Sequence, residues 1–155
     1  MKHFLYVLTA MLLLTSFTNH SIYIDPTGTY KLNSKTIKKK SGIYGYTGQI
    51  QVKKISDDKI VMTFEVNKGA PSYNSGSFVD TLTYKNNKAI YRDLSMDSTC
   101  KITFNFDKMG VTVKESTADY NWGCGFGHAV VADGYFKRIS SKVPVLIEPL
   151  TGEKL

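Results

Sequence analysis

Hydrophobic and polar residues alternate along most of the chain beyond residue 25, and this alternation predicts β-strands. Segment 59–66 carries a large apolar residue at every second position: Ile60, Met62, Phe64 and Val66. Successive side chains of a strand point to opposite faces, so this pattern buries one face and exposes the other. The same reasoning predicts eight strands, at residues 29–33, 48–55, 59–66, 76–85, 88–93, 100–106, 111–116 and 129–138.

Short turns separate most of these strands. Asn86-Asn87 predicts a two-residue hairpin, because asparagine tolerates positive φ, and residues 107–110 predict another. Strands joined by such turns lie antiparallel beside each other. We therefore predict an all-β fold, an eight-stranded antiparallel up-and-down barrel, with a two-sheet β-sandwich as the alternative. An eight-stranded barrel either fills its interior with side chains or holds one small ligand.

One glycine-rich stretch interrupts the alternation. Gly42, Gly45 and Gly48 recur at every third position, a spacing that resists both helix and regular strand. We expect an irregular loop there, with Tyr44 and Tyr46 partly exposed.

The first 21 residues are typical of a secretory signal peptide. Lys2 supplies a positive start, and the apolar run 4–14 is too short to span a bilayer as a helix. We divide the rest into a barrel domain, 22–140, and a C-terminal tail, 141–155, which packs on the barrel or extends from it. The protein is expected in the periplasm or outside the cell, and not to span the membrane once the signal is cleaved; a retained anchor is the alternative.

The chain has two cysteines, Cys100 and Cys124, and in an exported protein this number favours a disulfide. The bond would tie the start of the 100–106 strand to the segment before the last strand, at one end of the sheet. Closing a loop of about 25 residues would stabilise the fold by about 3–4 kcal/mol on chain-entropy grounds. A redox pair or a zinc site would need cysteine or histidine spacings that the sequence lacks.

Twenty Lys and Arg residues against thirteen Asp and Glu give a formal charge of +7. Four lysines cluster in one polar segment: Lys35, Lys38, Lys39 and Lys40. Such a run is a solvated loop or a contact for an anionic surface, such as lipid headgroups or acidic polysaccharide. Nucleic acid is not expected, because the chain shows no arginine-rich groove and no RNA-binding aromatic signature.

Two charged residues share faces with apolar residues on neighbouring predicted strands. Asp80 alternates with Phe78, Leu82 and Tyr84, and Arg92 alternates with Ile90. If both point inward, they form an ion pair lining the interior, because a buried unpaired charge is costly. In the opposite register both are solvated.

The connection 117–128 concentrates glycine and aromatic residues, among them Tyr120, Trp122 and Phe126. These rings could form the rim of a pocket, a protein-contact patch, or a plug at the barrel end. His128 is a candidate general base or metal ligand, or a residue that caps a turn. The sequence contains no nucleophile elbow, phosphate loop or metal-ligand spacing, so neither catalysis nor a metal or cofactor is expected.

Residues Gly28-Thr29-Tyr30 at the first strand are similar to the Gly-x-Trp motif of lipocalins, and the predicted barrel resembles that family. Tyrosine replaces tryptophan, and the family's C-terminal helix has no counterpart. The segment 124–128, followed by 132–135, is similar to the ends of small exported bacterial proteins. The lipocalin resemblance implies an exported protein that binds a small apolar or amphipathic ligand.

The sequence thus predicts a binding protein without catalysis. The expected ligand-binding residues are Asp80, Arg92, Tyr84, Trp122, Phe126 and His128. The alternative is a protein-binding module, such as an inhibitor of lysozyme-type hydrolases, that acts through segment 117–128. The positive net charge counts against a basic target of this kind.

Overall fold

The computed structural model describes residues 22–155, and these residues form nine β-strands. The predicted signal peptide lies outside the described residues. The strands are β1 (Gly28–Leu32), β2 (Ile37–Lys39), β3 (Gly42–Lys54), β4 (Lys59–Gly69), β5 (Ser75–Lys85), β6 (Lys88–Tyr91), β7 (Lys101–Phe106), β8 (Gly110–Ser116) and β9 (Gly134–Ser140).

Eight of the strands close into an antiparallel barrel. From β3 to β9, each strand pairs with its neighbour in the chain, and β1 closes the ring by pairing with both β3 and β9. Tyr30 of β1 lies opposite Ile50 on one side and Arg138 on the other. The ninth strand, β2, pairs with β3 alone. The predicted eight-stranded barrel is therefore confirmed, with one additional short strand.

Alternate side chains of the barrel strands fill its interior. Phe64 lies among four other rings, with centroids 5.3 Å from Phe78, 5.8 Å from Phe104 and Phe136, and 6.1 Å from Phe126. Each fully buried side chain of this size contributes about 1.5–3 kcal/mol relative to exposure. Close aromatic packing therefore replaces an open lumen around Phe64.

The glycine-rich stretch is strand, and the expectation of an irregular loop was wrong. β3 begins at Gly42, and the β3–β4 register shifts between Tyr44 and Thr47. Gly45 has φ of +100°, and a Cβ there would lie 2.6 Å from the Lys35 carbonyl oxygen. One glycine thus permits a bulge without ending the strand. Tyr44 and Tyr46 are half-buried, as predicted.

The last strand begins five residues later than predicted, at Gly134. Residues 129–133 approach β8 through side-chain contacts instead: the Ala132 N–H donates to Glu115 Oε2 at 2.7 Å, and the Glu115 N–H donates to Asp133 Oδ1 at 2.7 Å. Val130 and Ala132 are nevertheless buried, as their apolar character predicts.

The disulfide between Cys100 and Cys124 is confirmed, with a Cα–Cα distance of 4.9 Å. Cys100 immediately precedes β7, and Cys124 lies in a 3₁₀ turn, Gly123–Gly125. We call this end of the barrel, where the connections 92–100 and 117–133 meet, the disulfide end. A disulfide fits an oxidising compartment.

The C-terminal tail packs on the outside of the barrel. Gln51 of β3 holds it at two points: its Nε2 donates to the Val145 carbonyl at 3.1 Å, and its Oε1 accepts from the Ile147 N–H at 2.9 Å. Leu146 of the tail is buried. Within residues 22–155, no helix has the length and apolar character needed to cross a membrane.

Candidate functional site

One carboxylate organises the disulfide end. Asp97 Oδ1 accepts hydrogen bonds from the Thr99 N–H and hydroxyl, at 2.8 and 2.6 Å. Its Oδ2 accepts from the Thr117 hydroxyl at 2.7 Å and from the Cys124 N–H at 3.1 Å. These donors, the Thr99 hydroxyl foremost, hold the pKa of Asp97 well below its ordinary value. Asp97 thereby joins both connections beside the disulfide.

Trp122 projects from this fixed framework. Its side chain is 64% exposed, and its ring meets the His128 ring edge-on at 5.0 Å. The Ala129 N–H donates to the Asn121 carbonyl at 2.9 Å, which closes the segment that carries Trp122. Other exposed apolar side chains lie on the same two connections. We call the set the aromatic patch: Leu94, Met96, Tyr120 and Trp122.

Phe126 points the other way, into the barrel. It is buried, and its ring stacks with that of Phe64. Gly76 of β5 leaves room for it, because a Cβ at position 76 would overlap the Phe126 ring. The aromatic residues of segment 117–128 therefore divide between a plug, Phe126, and an exposed surface, Trp122 and Tyr120.

His128 lies at the surface beside this patch. Its carbonyl accepts a hydrogen bond from Asn74 Nδ2 at 3.0 Å, which links it to the β4–β5 loop. Among the described residues, no group of three or more His, Cys, Asp or Glu side chains is placed to hold a metal ion.

Glu115 is a buried carboxyl group beneath the patch. It is 7% exposed; Oε2 accepts from Ala132, whereas Oε1 has no partner among the described residues. Burial raises the pKa of Glu115, and the nearby Asp133 and Asp97 carboxylates raise it further. Asp133 in turn forms an ion pair with Lys114 at 2.8 Å.

Tyr84 lies at the opposite end of the barrel from Trp122. It is 2% exposed, and its hydroxyl donates to the Ile24 carbonyl at 2.7 Å. Burial raises the pKa of Tyr84. Its position is that of a core residue, and the structure does not bring it together with the other predicted site residues.

Asp80 and Arg92 line one groove of about 610 Å³ on the outer wall. The groove opens where β5 and β6 separate, because these strands pair only at 84↔89 and 85↔88. Asp80 is half-buried and accepts from the Thr81 N–H at 2.6 Å, while Arg92 is exposed. In the described part of the chain the two form no ion pair with each other. Asp80 lies on the face of β5 that also carries the buried Phe78 and Leu82, whereas Arg92 is solvated, as the second alternative predicts for it.

An aromatic pair spans the gap where β5 and β6 separate. Phe78 and Tyr91 stack with centroids 3.8 Å apart across the gap between β5 and β6. Burial, followed by the Asp93 and Asp80 carboxylates, raises the pKa of Tyr91 to about 12. Asp80 therefore lies close to this aromatic pair, on the same face of β5 as Phe78.

A second outer groove, of about 480 Å³, lies between the tail and strands β3 to β5. Pro149 and Leu150 give it an apolar side, and Gln49, Glu65 and Asn67 give it a polar one. Burial raises the pKa of Glu65.

Three carboxyl groups of the disulfide end were not identified from the sequence: Asp97, Glu115 and Asp133. The sequence carries a signal for the first, because Asp97-Ser98-Thr99 is typical of a turn in which the aspartate accepts from the residue two positions on. The roles of Glu115 and Asp133 depend on β8 meeting residues 132–133 and have no local signal.

No family model, curated protein or solved structure matches this chain.

Proposed function

We propose that the protein is an exported, non-catalytic module that binds a partner protein through segment 117–128. The observation that carries this proposal is the exposure of Trp122 on a segment fixed by a disulfide and by Asp97. Tryptophan is prominent among residues that dominate binding energy at protein interfaces. A fixed loop also loses little conformational entropy on binding.

The charge near the aromatic patch favours a basic partner. Asp93, Asp97 and Asp119 lie on the same two connections as Trp122 and Met96, and Arg92 is the one Lys or Arg residue on these connections. At physiological salt, charges separated by more than about 8 Å are largely screened, so the local carboxylates count for more at a contact than the net charge of +7. The positive net charge therefore counts less against a basic partner, such as a lysozyme-type hydrolase.

Binding to immobilised lysozymes tests this proposal, with cytochrome c as a control of similar basic charge. We expect a lysozyme to bind and the control protein not to bind. Trp122→Ala should weaken binding by at least about tenfold, as expected for a tryptophan anchor. Leu150→Ala, which removes an exposed apolar side chain from the tail, should leave the affinity unchanged. Equal affinity of the Trp122→Ala variant and the unaltered protein would rule out the proposed surface.

A small amphipathic ligand is the second candidate, and the groove beneath the tail favours it. The lining combines apolar Pro149 and Leu150 with polar Gln49 and Glu65, as an amphipathic molecule requires. Native mass spectrometry of the protein purified from its producing cells should then show a bound small molecule. Leu150→Ser should release that molecule, whereas Trp122→Ala should not.

A further inference from the structure

The β2–β3 hairpin, residues 35–46, presents a second surface at the same end of the barrel as the aromatic patch, and the Tyr46 hydroxyl links it to that end by donating to the Ala129 carbonyl at 3.1 Å. Ile37 pairs with Tyr44, and Lys39 pairs with Gly42. Directly opposed residues of an antiparallel pair share a face, so Ile37, Lys39 and Tyr44 lie on the same side. The Tyr73 hydroxyl occupies the space where a side chain at position 42 would point. This face therefore combines one isoleucine, two tyrosines and a lysine.

The apolar side chains of the hairpin are open to solvent. Ile37 is 60% exposed, Tyr73 51%, and Ile43 on the other face 46%. Lys39 Nζ lies 4.9 Å from the centre of the Tyr44 ring, a cation–π contact. Every residue of β2 is exposed, so burial against the barrel does not explain why isoleucine stands there.

The same region carries a strong excess of positive charge. Between Asp25 and Asp57 the sequence has seven lysines and no Asp or Glu. The four lysines of the hairpin, Lys35, Lys38, Lys39 and Lys40, are exposed, and none forms an ion pair with a residue in 22–155. The hairpin is thus an uncompensated basic surface.

The hairpin is held rigidly at its base. The Ala70 N–H donates to the Ile43 carbonyl at 2.7 Å, and Tyr44 pairs with Gly69 of β4. Gly69 has φ of +76°, and a Cβ there would lie 2.6–2.7 Å from the Gly45 and Ile43 carbonyl oxygens. The apolar and basic side chains are therefore presented in a fixed arrangement.

We propose that this hairpin binds the surface of a membrane that contains anionic lipids. Lysines attract acidic headgroups, while isoleucine and tyrosine enter the interface between headgroups and acyl chains, where tyrosine is favoured. A purely polyanionic partner, such as an acidic polysaccharide, would use the lysines and leave Ile37 and Ile43 without a role. The combination of both residue types selects the bilayer.

Co-sedimentation of the full chain with vesicles tests the proposal, using phosphatidylcholine alone and phosphatidylcholine with about 30% phosphatidylglycerol. All variants share the first 21 residues, so the ratio of the two affinities reports the hairpin. We expect the anionic vesicles to be preferred by at least about tenfold. Replacing Lys38, Lys39 and Lys40 by Gln should abolish this preference. The matched control replaces Lys85, Lys88 and Lys108 with Gln, which removes the same charge at the opposite end of the barrel. This control variant should retain the preference for anionic vesicles.

The apolar contribution is tested separately. Ile37→Ser with Ile43→Ser should weaken binding to anionic vesicles by about tenfold. The control, Ile55→Ser with Ile139→Ser, alters two exposed isoleucines elsewhere and should bind normally. If the Lys38/Lys39/Lys40 variant loses binding and the Ile37/Ile43 variant keeps it, the hairpin recognises polyanions and not the bilayer. Soluble heparin should then bind the Ile37/Ile43 variant and the Ile55/Ile139 variant with equal affinity. If both lysine variants lose the preference equally, the attraction depends on net charge. Either result overturns the proposal.

Discussion

Arg138 Nη2 donates a hydrogen bond of 2.6 Å to the Tyr30 hydroxyl, and its guanidinium lies 5.1 Å from the centre of the Tyr30 ring. Tyr30 belongs to β1 and Arg138 to β9, so the contact joins two strands whose pairing closes the barrel. The Tyr30 hydroxyl donates to the Pro26 carbonyl at 2.7 Å, and the same Nη2 donates to the Asp25 carbonyl at 2.6 Å. The network therefore also fixes the segment that leads into the first strand.

Tyr30→Phe should destabilise the protein by about 1–3 kcal/mol, because the substitution leaves the buried Pro26 carbonyl without its donor and removes one of the two acceptors of Arg138 Nη2. The free energy of unfolding in urea measures the effect. Tyr135→Phe is the control, since the Tyr135 hydroxyl bonds to Asp107 at an exposed position, and it should change stability by less than about 0.5 kcal/mol. Equal effects of the two substitutions would show that the Tyr30 network does not stabilise the barrel.

Strand positions could be predicted from the sequence because alternation is a local property. The 59–66 pattern identified most of β4, and the paired cysteines identified the disulfide. The start of β3 could not be predicted, because it depends on a bulge at Gly45 whose fit requires the Lys35 carbonyl and the end of β4. A local hydrophobic pattern therefore predicts a strand, but it does not predict a bulge that depends on the strands and loops packed around it.

The candidate site was harder to predict than the fold, because its contacts join distant parts of the chain. Asp97 meets Thr117 and Cys124, which are 20 and 27 residues away. Segment 117–128 was predicted as a rim, a contact patch or a plug, and the structure shows Phe126 buried and Trp122 exposed. Sequence spacing does not determine that division, because the space for Phe126 comes from Gly76 on another strand.

Asp97→Asn should destabilise the disulfide end near neutral pH and reduce the sensitivity of the protein to acid. The pKa of Asp97 is lowered in the folded state from an ordinary value of 3.8. Its contribution is therefore present above about pH 4 and is lost as the pH falls through the lower, folded-state pKa. Unfolding free energies measured from pH 7 downward should converge for the two proteins in acid. A constant difference at every pH would contradict this role, and Asp119→Asn, on the other connection of the disulfide end, is the control.

Glu115→Gln should have the opposite pH signature. Burial raises the pKa of Glu115 above its ordinary 4.5, so the folded protein binds the proton more tightly than the unfolded chain. The resulting stability is complete below about pH 4.5 and is lost as the pH rises through the folded-state pKa. Glutamine can still accept from Ala132 and carries no charge, so the variant should be more stable than the unaltered protein at pH 8, and its advantage should be smaller at pH 4. Thermal unfolding at both values measures this, and a larger gain at pH 4 would contradict it.

Gly76→Ala should destabilise the barrel by about 1–3 kcal/mol, because the added methyl group would overlap the Phe126 ring and force it from the core. Phe126→Leu alone should also destabilise, by removing a ring that stacks on Phe64. If the residues at positions 76 and 126 contact each other directly, their effects should not add. The loss of unfolding free energy in the double variant should then be smaller than the sum of the two single losses by at least about 0.5 kcal/mol. Simple additivity in urea unfolding would mean that Gly76 is required for another reason.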